Sequence, residues 1–479
     1  MVNQVLTQHR VTARTYALTG LRTGSVRDQL LRSTLLACAL REANLIGPGA
    51  ANKLLVLGAG ASGMNLAIQA AELGVSVDVL ELEATPFNTL YKASWRRIDP
   101  VEYDWPHAHY QRGVFPGPTS GRIPLQQITG TGAALARNWN KAWKDWDANR
   151  NGRQTRGTVE IFTRFDATLV KPLNETAVAV NVSPLWRGSA GAATVPYGAV
   201  VSCIGFAGEL TRHHPPPDRW SGYHGPQFWT DDDRLHEHWV QPLDCRQVLI
   251  SGGGDGGMQD FQRAATAAFG KKLLDNLISE AAIIAPNWII CPDRTTAAIV
   301  KADDIGRRAF AWRQDGQTLA QTQTTWDDAF RAEAIHVIGL LSSSQTIALA
   351  GKILRPCIVS GATALTWIHR EATPGFAYAL NRYLAIFVEL LAHAVSAAVE
   401  VLPRSEIVAM SPKDPPHAHL CGDPDHCFGK MHKVTLKASN GVELELDADC
   451  IIVRHGALQT PLLGTVPMPE QMTPYDFPQ

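Results

Sequence analysis

No C-x-x-C pair, no G-x-S-x-G turn and no Walker A loop occurs in the 479 residues of this chain. The first absence excludes the commonest redox-active dithiol, and the other two leave serine-hydrolase and kinase chemistry without a motif. Charge of one sign is missing too: 44 Lys and Arg stand against 45 Asp and Glu, a net charge of -1. Neither a basic surface for nucleic acid nor an acidic one follows from that balance. Long apolar runs are scarce. The longest, Leu384 to Leu402, contains Glu389, His393 and Glu400 and reads as a packed helix rather than a membrane span. Met1 to Arg14 holds no apolar core of signal-peptide length. The expectation is a cytoplasmic protein with no membrane and no nucleic-acid partner. Its 8 cysteines are mostly scattered through apolar stretches, as buried free thiols are.

The informative part of the chain begins at Leu54. The apolar run Leu54-Leu55-Val56-Leu57 enters Gly58-Ala59-Gly60-Ala61-Ser62-Gly63, a G-x-G-x-x-G turn. A helical pattern leaves it from Met64 to Leu73, and a strand-like run, Val75 to Leu80, ends on Glu81 and Glu83. Strand, turn, helix, strand and acid within one ~30-residue unit are the parts of a dinucleotide site. Gly58 permits the tight turn, Gly60 lets the backbone approach a pyrophosphate, and Gly63 lets the helix pack close to the strand. Together with Ser62 they open a helix whose N-terminal N–H groups attract phosphate. Glu81 is the acceptor for ribose hydroxyls.

At this length two or three domains are expected. Residues 1–50 carry a helical pattern, Val26 to Asn44, and read as an N-terminal helical extension. Residues 86–125 combine Trp95, Tyr103, Trp105, Tyr110 and Phe115 with prolines and Arg96, Arg97 and Arg112. So long an irregular segment is more often functional than idle. Ile128 to Trp146 reads as a helix whose Trp139, Trp143 and Trp146 form a core stripe. Strand-like runs follow at Val159–Phe165, Ala177–Val182 and Val195–Ile204, and residues 207–244 read as a Pro-rich linker.

After the linker the opening pattern repeats. Val248 to Ser251 is a short strand, Gly252-Gly253-Gly254-Asp255-Gly256-Gly257 a second G-x-G-x-x-G, and Met258 to Phe269 a helical pattern. This predicts a second Rossmann-like unit. No acid stands at the expected spacing beyond it, since Asp275 falls inside a helical pattern. Residues 300–405 read as helical, notably Trp326–Leu341 and Phe376–Leu402. Val434 to Val453 reads as strands running into Arg454-His455-Gly456.

On the motif Gly58–Gly63 with Glu81, the strand end Cys203-Ile204-Gly205-Phe206 and the motif Gly252–Gly257, the sequence resembles the two-dinucleotide-binding-domain flavoproteins. That superfamily holds flavin-dependent monooxygenases. The missing C-x-x-C separates the chain from disulfide reductases of the thioredoxin-reductase type. Neither a G-G-x-W segment after Glu81 nor the Baeyer–Villiger signature is present. The resemblance implies an α/β protein. Its Rossmann-like FAD-binding domain, 51–210, is accompanied by an inserted Rossmann-like NAD(P)-binding or substrate domain with a helical region, 245–405. Residues 406–479 then return to the FAD domain and a tail. It further implies FAD at Gly58, Gly60, Ser62, Gly63, Glu81 and Gly205, and NAD(P)H at Gly252, Gly254 and Gly257. Arg96, Tyr103, Asp104 and Trp105, with Trp95, lie where relatives place residues against the isoalloxazine ring; an aromatic-stapled surface loop is the other reading. Arg454 and His455 follow a strand end and are assigned to cofactor binding, against a salt-bridged Arg and a surface His.

Two further groups stand out. His417, His419, Cys421, His426, Cys427 and His432 crowd one Pro- and Asp-rich stretch, but their spacings fit no standard zinc site, so no metal is assigned. Tyr378, Asn381 and Arg382 start an apolar helix and either line a substrate pocket or, more often for such groups, secure the helix start. The expected function is an FAD-dependent, NAD(P)H-reduced, monooxygenase-like oxidoreductase. Its partner would be a small-molecule substrate, and the chain could form a homo-oligomer. The alternatives are an oxidase or dehydrogenase that does not use NAD(P)H, and a non-catalytic nucleotide-binding sensor or scaffold.

Overall fold

The computed structural model describes residues 2–18, 26–99, 102, 105, 125, 129–149, 157–165, 178–182, 193–211, 223–230, 235, 247–288, 316–375, 378–413 and 431–459. In its first half the elements are α1 (Val2–His9), β1 (Thr15–Ala17), α2 (Val26–Glu42), β2 (Leu54–Leu57), α3 (Ala61–Glu72), β3 (Val77–Leu80), α4 (Asn88–Lys92), β4 (Arg97–Ile98), β5 (Gly130–Thr131), α5 (Gly132–Ala148), β6 (Val159–Phe162), β7 (Val178–Val182), β8 (Ala193–Tyr197), β9 (Ala199–Ser202) and β10 (Phe206–Glu209). Five strands form one parallel sheet in the order β1-β9-β2-β3-β6. α3 covers one face and Tyr197 and Val195 of β8 pack on the other, so β2, β3 and β9 are buried throughout; β2 is wholly apolar, while β3 carries Asp78 and β9 ends on Ser202.

The N-terminal 50 residues are more than a helical extension. β1 pairs with β9, Tyr16 opposite Val201, and widens the sheet by one strand. α2 lies on α3, where the Asn65 amide donates to Leu30 O and to the Ser33 and Thr34 hydroxyls at 2.8, 2.8 and 2.9 Å. α5 is capped by the Thr131 hydroxyl, and its Trp139, Trp143 and Trp146 are buried, as their spacing predicts.

The second half runs β11 (Gln247–Ser251), α6 (Asp255–Thr266), α7 (Gly270–Ile284), α8 (Gly316–Gly339), α9 (Ser343–Ile353), α10 (Pro356–Val359), β12 (Ala364–His369), α11 (Ala379–Ala394), β13 (Val399–Pro403), β14 (Ser405–Pro412), β15 (His432–Ala438), β16 (Glu443–Ala448), β17 (Cys450–Val453) and β18 (Ala457–Gln459). Its parallel sheet has the order β13-β12-β11-β17. Each half therefore follows one plan: first strand, glycine turn, helix, second and third strands, an antiparallel excursion (β7–β8, then β14–β16), and a return strand beside the first. This is the α/β architecture of two Rossmann-like units.

Two expectations are corrected. Residues 300–405 are not helical throughout, because β12 and β13 lie within them; a buried run such as β12 cannot be told from helix by periodicity, and β13 is too short to show one. The assignment of 406–479 to the first domain also fails for β14–β17. β17 pairs with β11, Val248 opposite Cys450, and closes the second sheet instead. Only β18 reaches back, pairing antiparallel with β10. No single helix among the described residues is long and apolar enough to cross a membrane. One bent pair, Thr324–Gly339 and Ser343–Ile353, passes that test when taken together.

The two turns constrain the packing equally. A Cβ on Gly63 would overlap Gly58 O, and one on Gly257 would overlap Gly252 O. Gly63→Ala and Gly257→Ala are each expected to destabilise the fold by about 1–3 kcal/mol, read as a lower urea midpoint at unchanged m-value.

Candidate functional site

The first glycine turn is open on the side a ligand would use. Gly58 has φ +96°, and a Cβ there would stand 2.7 Å from Cys203 O. Gly60 is the N-cap of α3, with φ -73° and no side-chain cap, and a Cβ added to it would meet nothing within 4 Å. The start of α3 therefore has no side-chain cap and open space at Gly60, which is what an anion site at a helix start requires. Glu81 follows β3. Its carboxylate accepts from Ala59 N at 2.6 Å and Glu83 N at 2.9 Å, leaving lone pairs for ribose hydroxyls. At the end of β9 the buried Ser202 Oγ has no hydrogen-bond partner, and neither has the buried Nε1 of Trp95. Gly205 beyond it has φ +81° with open space about its Cβ position.

The second turn repeats the backbone and changes the side chains. Gly252 has φ +141°, and a Cβ on it would overlap Arg454 O, just as Gly58 meets Cys203 O. Gly254 is the N-cap of α6 and likewise lacks a side-chain cap. Gly252 N donates to Ile368 O as Gly58 N does to Leu80 O, so His369 stands where the first unit has Glu81. The acid is absent from the sequence pattern because the second strand begins only at Ala364, after a helical insertion. His369 is buried and its Nδ1 lies 2.9 Å from Glu371 O; burial holds its pKa below the usual imidazole value. The neighbouring Arg370 pairs with Glu406 at 3.0 Å on the surface.

The chain itself packs over this turn. Gly375 N donates to Gly253 O at 2.7 Å, and the Phe228 ring comes within 3.5 Å of where a Gly256 Cβ would stand. Asp255 opens α6 where the first unit has Ala61. It accepts from Asn381 Nδ2 at 2.8 Å, Tyr378 N at 3.2 Å and Gln259 Nε2 at 3.0 Å, and burial pushes its pKa up to about 6. Arg382 donates to Asp327 at 2.9 Å and to Pro374 O at 2.7 Å. Tyr378, Asn381 and Arg382 therefore secure the helix start and its approach.

Arg96 and Arg454 converge, but on a carboxylate. Asp260 of α6 receives Arg96 Nη1 at 2.7 Å, Arg263 Nη1 at 2.9 Å and Arg454 Nε at 2.6 Å. The guanidinium of Arg96 also lies 3.6 Å from the Phe228 ring centre. Trp105 is buried in the second core, stacked on Tyr383 at 5.3 Å. Glu102, also buried, accepts from Lys271 N at 2.8 Å at the start of α7, and burial pushes its pKa up to about 8. His455 is exposed, its Nε2 2.8 Å from Ser251 Oγ. Tyr103, Asp104 and the crowded segment from His417 to Cys427 lie outside the described residues. His432 packs edge-on against Tyr223, and no metal-ligating group of three exists among the described residues.

The sequence reading missed Asp260, Glu102 and Asp255. Acids on the buried face of a helix pattern were the available signal for Asp260 and Asp255. Nothing local connects Asp260 to Arg96.

No family model matches the sequence, and no curated protein matches it. Solved structures resemble it in fold. A cadaverine monooxygenase of desferrioxamine biosynthesis from Erwinia amylovora, bound to FAD, is 12% identical; 85% of this chain and 78% of that one are covered at a TM-score of 0.40. The thioredoxin reductase of T. acidophilum is 11% identical, covering 86% and 79% with a TM-score of 0.37. An ornithine N-hydroxylase of Kutzneria sp. 744, with reduced FAD, NADP+ and ornithine, is 13% identical, covering 85% and 82% at 0.36. No residue role follows from likenesses at this level.

Two outcomes are expected. Gly60→Ala should leave the stability of the ligand-free fold within about 0.5 kcal/mol, since its methyl meets nothing, yet weaken FAD binding at least tenfold by titration. Glu102 has a folded pKa of about 8, above its ordinary 4.5. Its favourable contribution is therefore complete below the lower value and lost as pH rises through the higher one. Glu102→Gln keeps the acceptor for Lys271 N, so its Tm relative to wild type should climb between about pH 5 and pH 8.

Proposed function

We propose that the chain is an FAD-dependent oxidoreductase, reduced by a nicotinamide nucleotide and acting on a small molecule in the manner of a monooxygenase. The observation that carries this reading is the uncapped start of α3 at Gly60, open to ligand and flanked by the Glu81 carboxylate. That pairing suits a pyrophosphate joined to an adenosine ribose. Gly58, Gly60, Ser62 and Gly63 would hold the phosphates, Glu81 the ribose, and Gly205 the approach of the rest of the cofactor. Bound FAD supplies two-electron acceptance and the onward transfer of electrons. The chain's own part is to hold it, to exclude water and to present the second unit's ligand.

At the second turn, His369 and Arg370 replace the acid. With no carboxylate at the position equivalent to Glu81 to accept from ribose hydroxyls, and with the Arg370 guanidinium beside it, paired with Glu406, this end of β12 favours NADPH over NADH. A second reading has a specific support. The Gly375 N to Gly253 O bond and the Phe228 ring against Gly256 cover the turn, which suits an oxidase or dehydrogenase whose own substrate reduces the flavin.

Anaerobic mixing of the flavin-loaded protein with each nucleotide tests both. Rapid bleaching near ~450 nm with NADPH, at least about tenfold faster than with NADH, is expected, and Arg370→Ala should narrow that ratio. Bleaching with neither nucleotide would remove the nicotinamide reading and leave the second.

A further inference from the structure

The first unit sends one segment into the second. Ile98 belongs to the first core and Leu125 returns to it, while Trp105 between them lies in the second core against Tyr383 and Phe330. Three contacts of different chemistry hold this crossing. Arg96 donates to Asp260 at 2.7 Å, Glu102 accepts from Lys271 N at 2.8 Å, and Trp105 stacks on Tyr383. Arg96 donates as well to Phe228 O at 2.6 Å, and the Phe228 N–H is in turn accepted by Glu209 of β10. β10 is the strand that leaves the first sheet, and it pairs with β18, which leaves the second.

Asp260 is the centre of this junction. Arg263 and Arg454, both of the second unit, use the same carboxylate, and Arg96, Asp260 and Arg263 are at most 1% exposed. A rotation of one unit on the other would strip Arg96 of a buried carboxylate, withdraw Glu102 from the start of α7 and pull Trp105 out of a core. Unpaired buried charge is among the costliest arrangements a protein can adopt.

We propose that Arg96 and Asp260 are positioning residues: they fix the second sheet on the first, so that a reductant held at the second turn meets the flavin of the first without domain rotation. The inference rests on the nicotinamide reading above for its kinetic consequence and on geometry alone for the fixed orientation.

Arg96→Gln in the flavin-loaded full chain is the test. The variant removes the charged link between the units while Asp260 keeps Arg263 and Arg454, so the second unit retains a paired carboxylate. Spin labels on non-natural residues at exposed Lys141, in the first unit, and exposed Ile347, in the second, report the distance between units. Wild type should give one narrow distribution, the same before and after dithionite reduction, and Arg96→Gln a broad one. Flavin reduction by saturating NADPH should fall at least tenfold in Arg96→Gln, with FAD content and dithionite reduction unchanged and partial recovery in Arg96→Lys. A wild-type distribution that shifts on reduction, or an Arg96→Gln distribution as narrow as wild type, overturns the proposal. Failure of NADPH to reduce the wild type would instead sink the nicotinamide reading, and the distance measurement would still decide the fixed orientation. Should Arg96→Gln not fold, Trp105→Ala loosens the same crossing without burying an unpaired charge and takes the same readout.

Discussion

In each half of this protein a return strand lies so close to a glycine turn that its carbonyl occupies the space of a side chain. Cys203 O does this to Gly58 and Arg454 O to Gly252. The contact is at once architectural and chemical. It requires the fourth parallel strand to sit beside the first, and it forces the turn into the conformation that aims the helix start at the carboxyl edge of the sheet. Ligands of open α/β sheets bind at that edge. Fold and candidate site are therefore a single arrangement, made twice.

The copies differ in what surrounds that shared geometry. Around the first, Gly60 opens to empty space and Glu81 offers an acceptor. Around the second, His369 takes the acid's place, Asp255 turns inward to Asn381 and Tyr378, and the chain at Gly375 and Phe228 packs over the backbone. Such divergence after one plan fits a division of labour between a firmly held cofactor and a more selectively admitted ligand. The junction between the halves is held by a different kind of force. Surface pairs such as Lys141–Asp145 contribute about 0–1 kcal/mol at most, whereas removing one partner of a buried pair costs about 3–5 kcal/mol. The Asp260 cluster belongs to the second kind, which makes it a specifier of orientation rather than a general stabiliser.

Much of the first unit was legible in the sequence because its signals are local: the run from Leu54 to Glu81 carries strand, turn, helix, strand and acid within one stretch, and the tryptophans of α5 fall on one face. The second unit was legible only at Gly252–Gly257. Its second strand is displaced by the α7–α10 insertion, and β12 is an almost fully buried run whose pattern does not alternate, while β13 is short and only partly buried. The return of β17 to β11 could not be read, since pairing partners in a parallel sheet leave no trace in spacing. The same holds for the fate of Arg96, Trp105 and Arg454. Their residue types suggested a cofactor's neighbours, yet each is committed to a partner far away in the chain, Asp260 or Tyr383, that only the folded arrangement reveals.

The reading on which the rest depends is that the chain carries FAD, proposed to lie at the first turn. Releasing the bound nucleotide from freshly purified protein by acid and identifying it by chromatography and mass tests this most directly. A single FAD per chain is expected. Release of FMN or of no nucleotide would contradict it, because the proposed Gly60 and Glu81 cradle suits an adenosine joined through a pyrophosphate, and release of a nicotinamide nucleotide alone would contradict it by making that cradle a nicotinamide site.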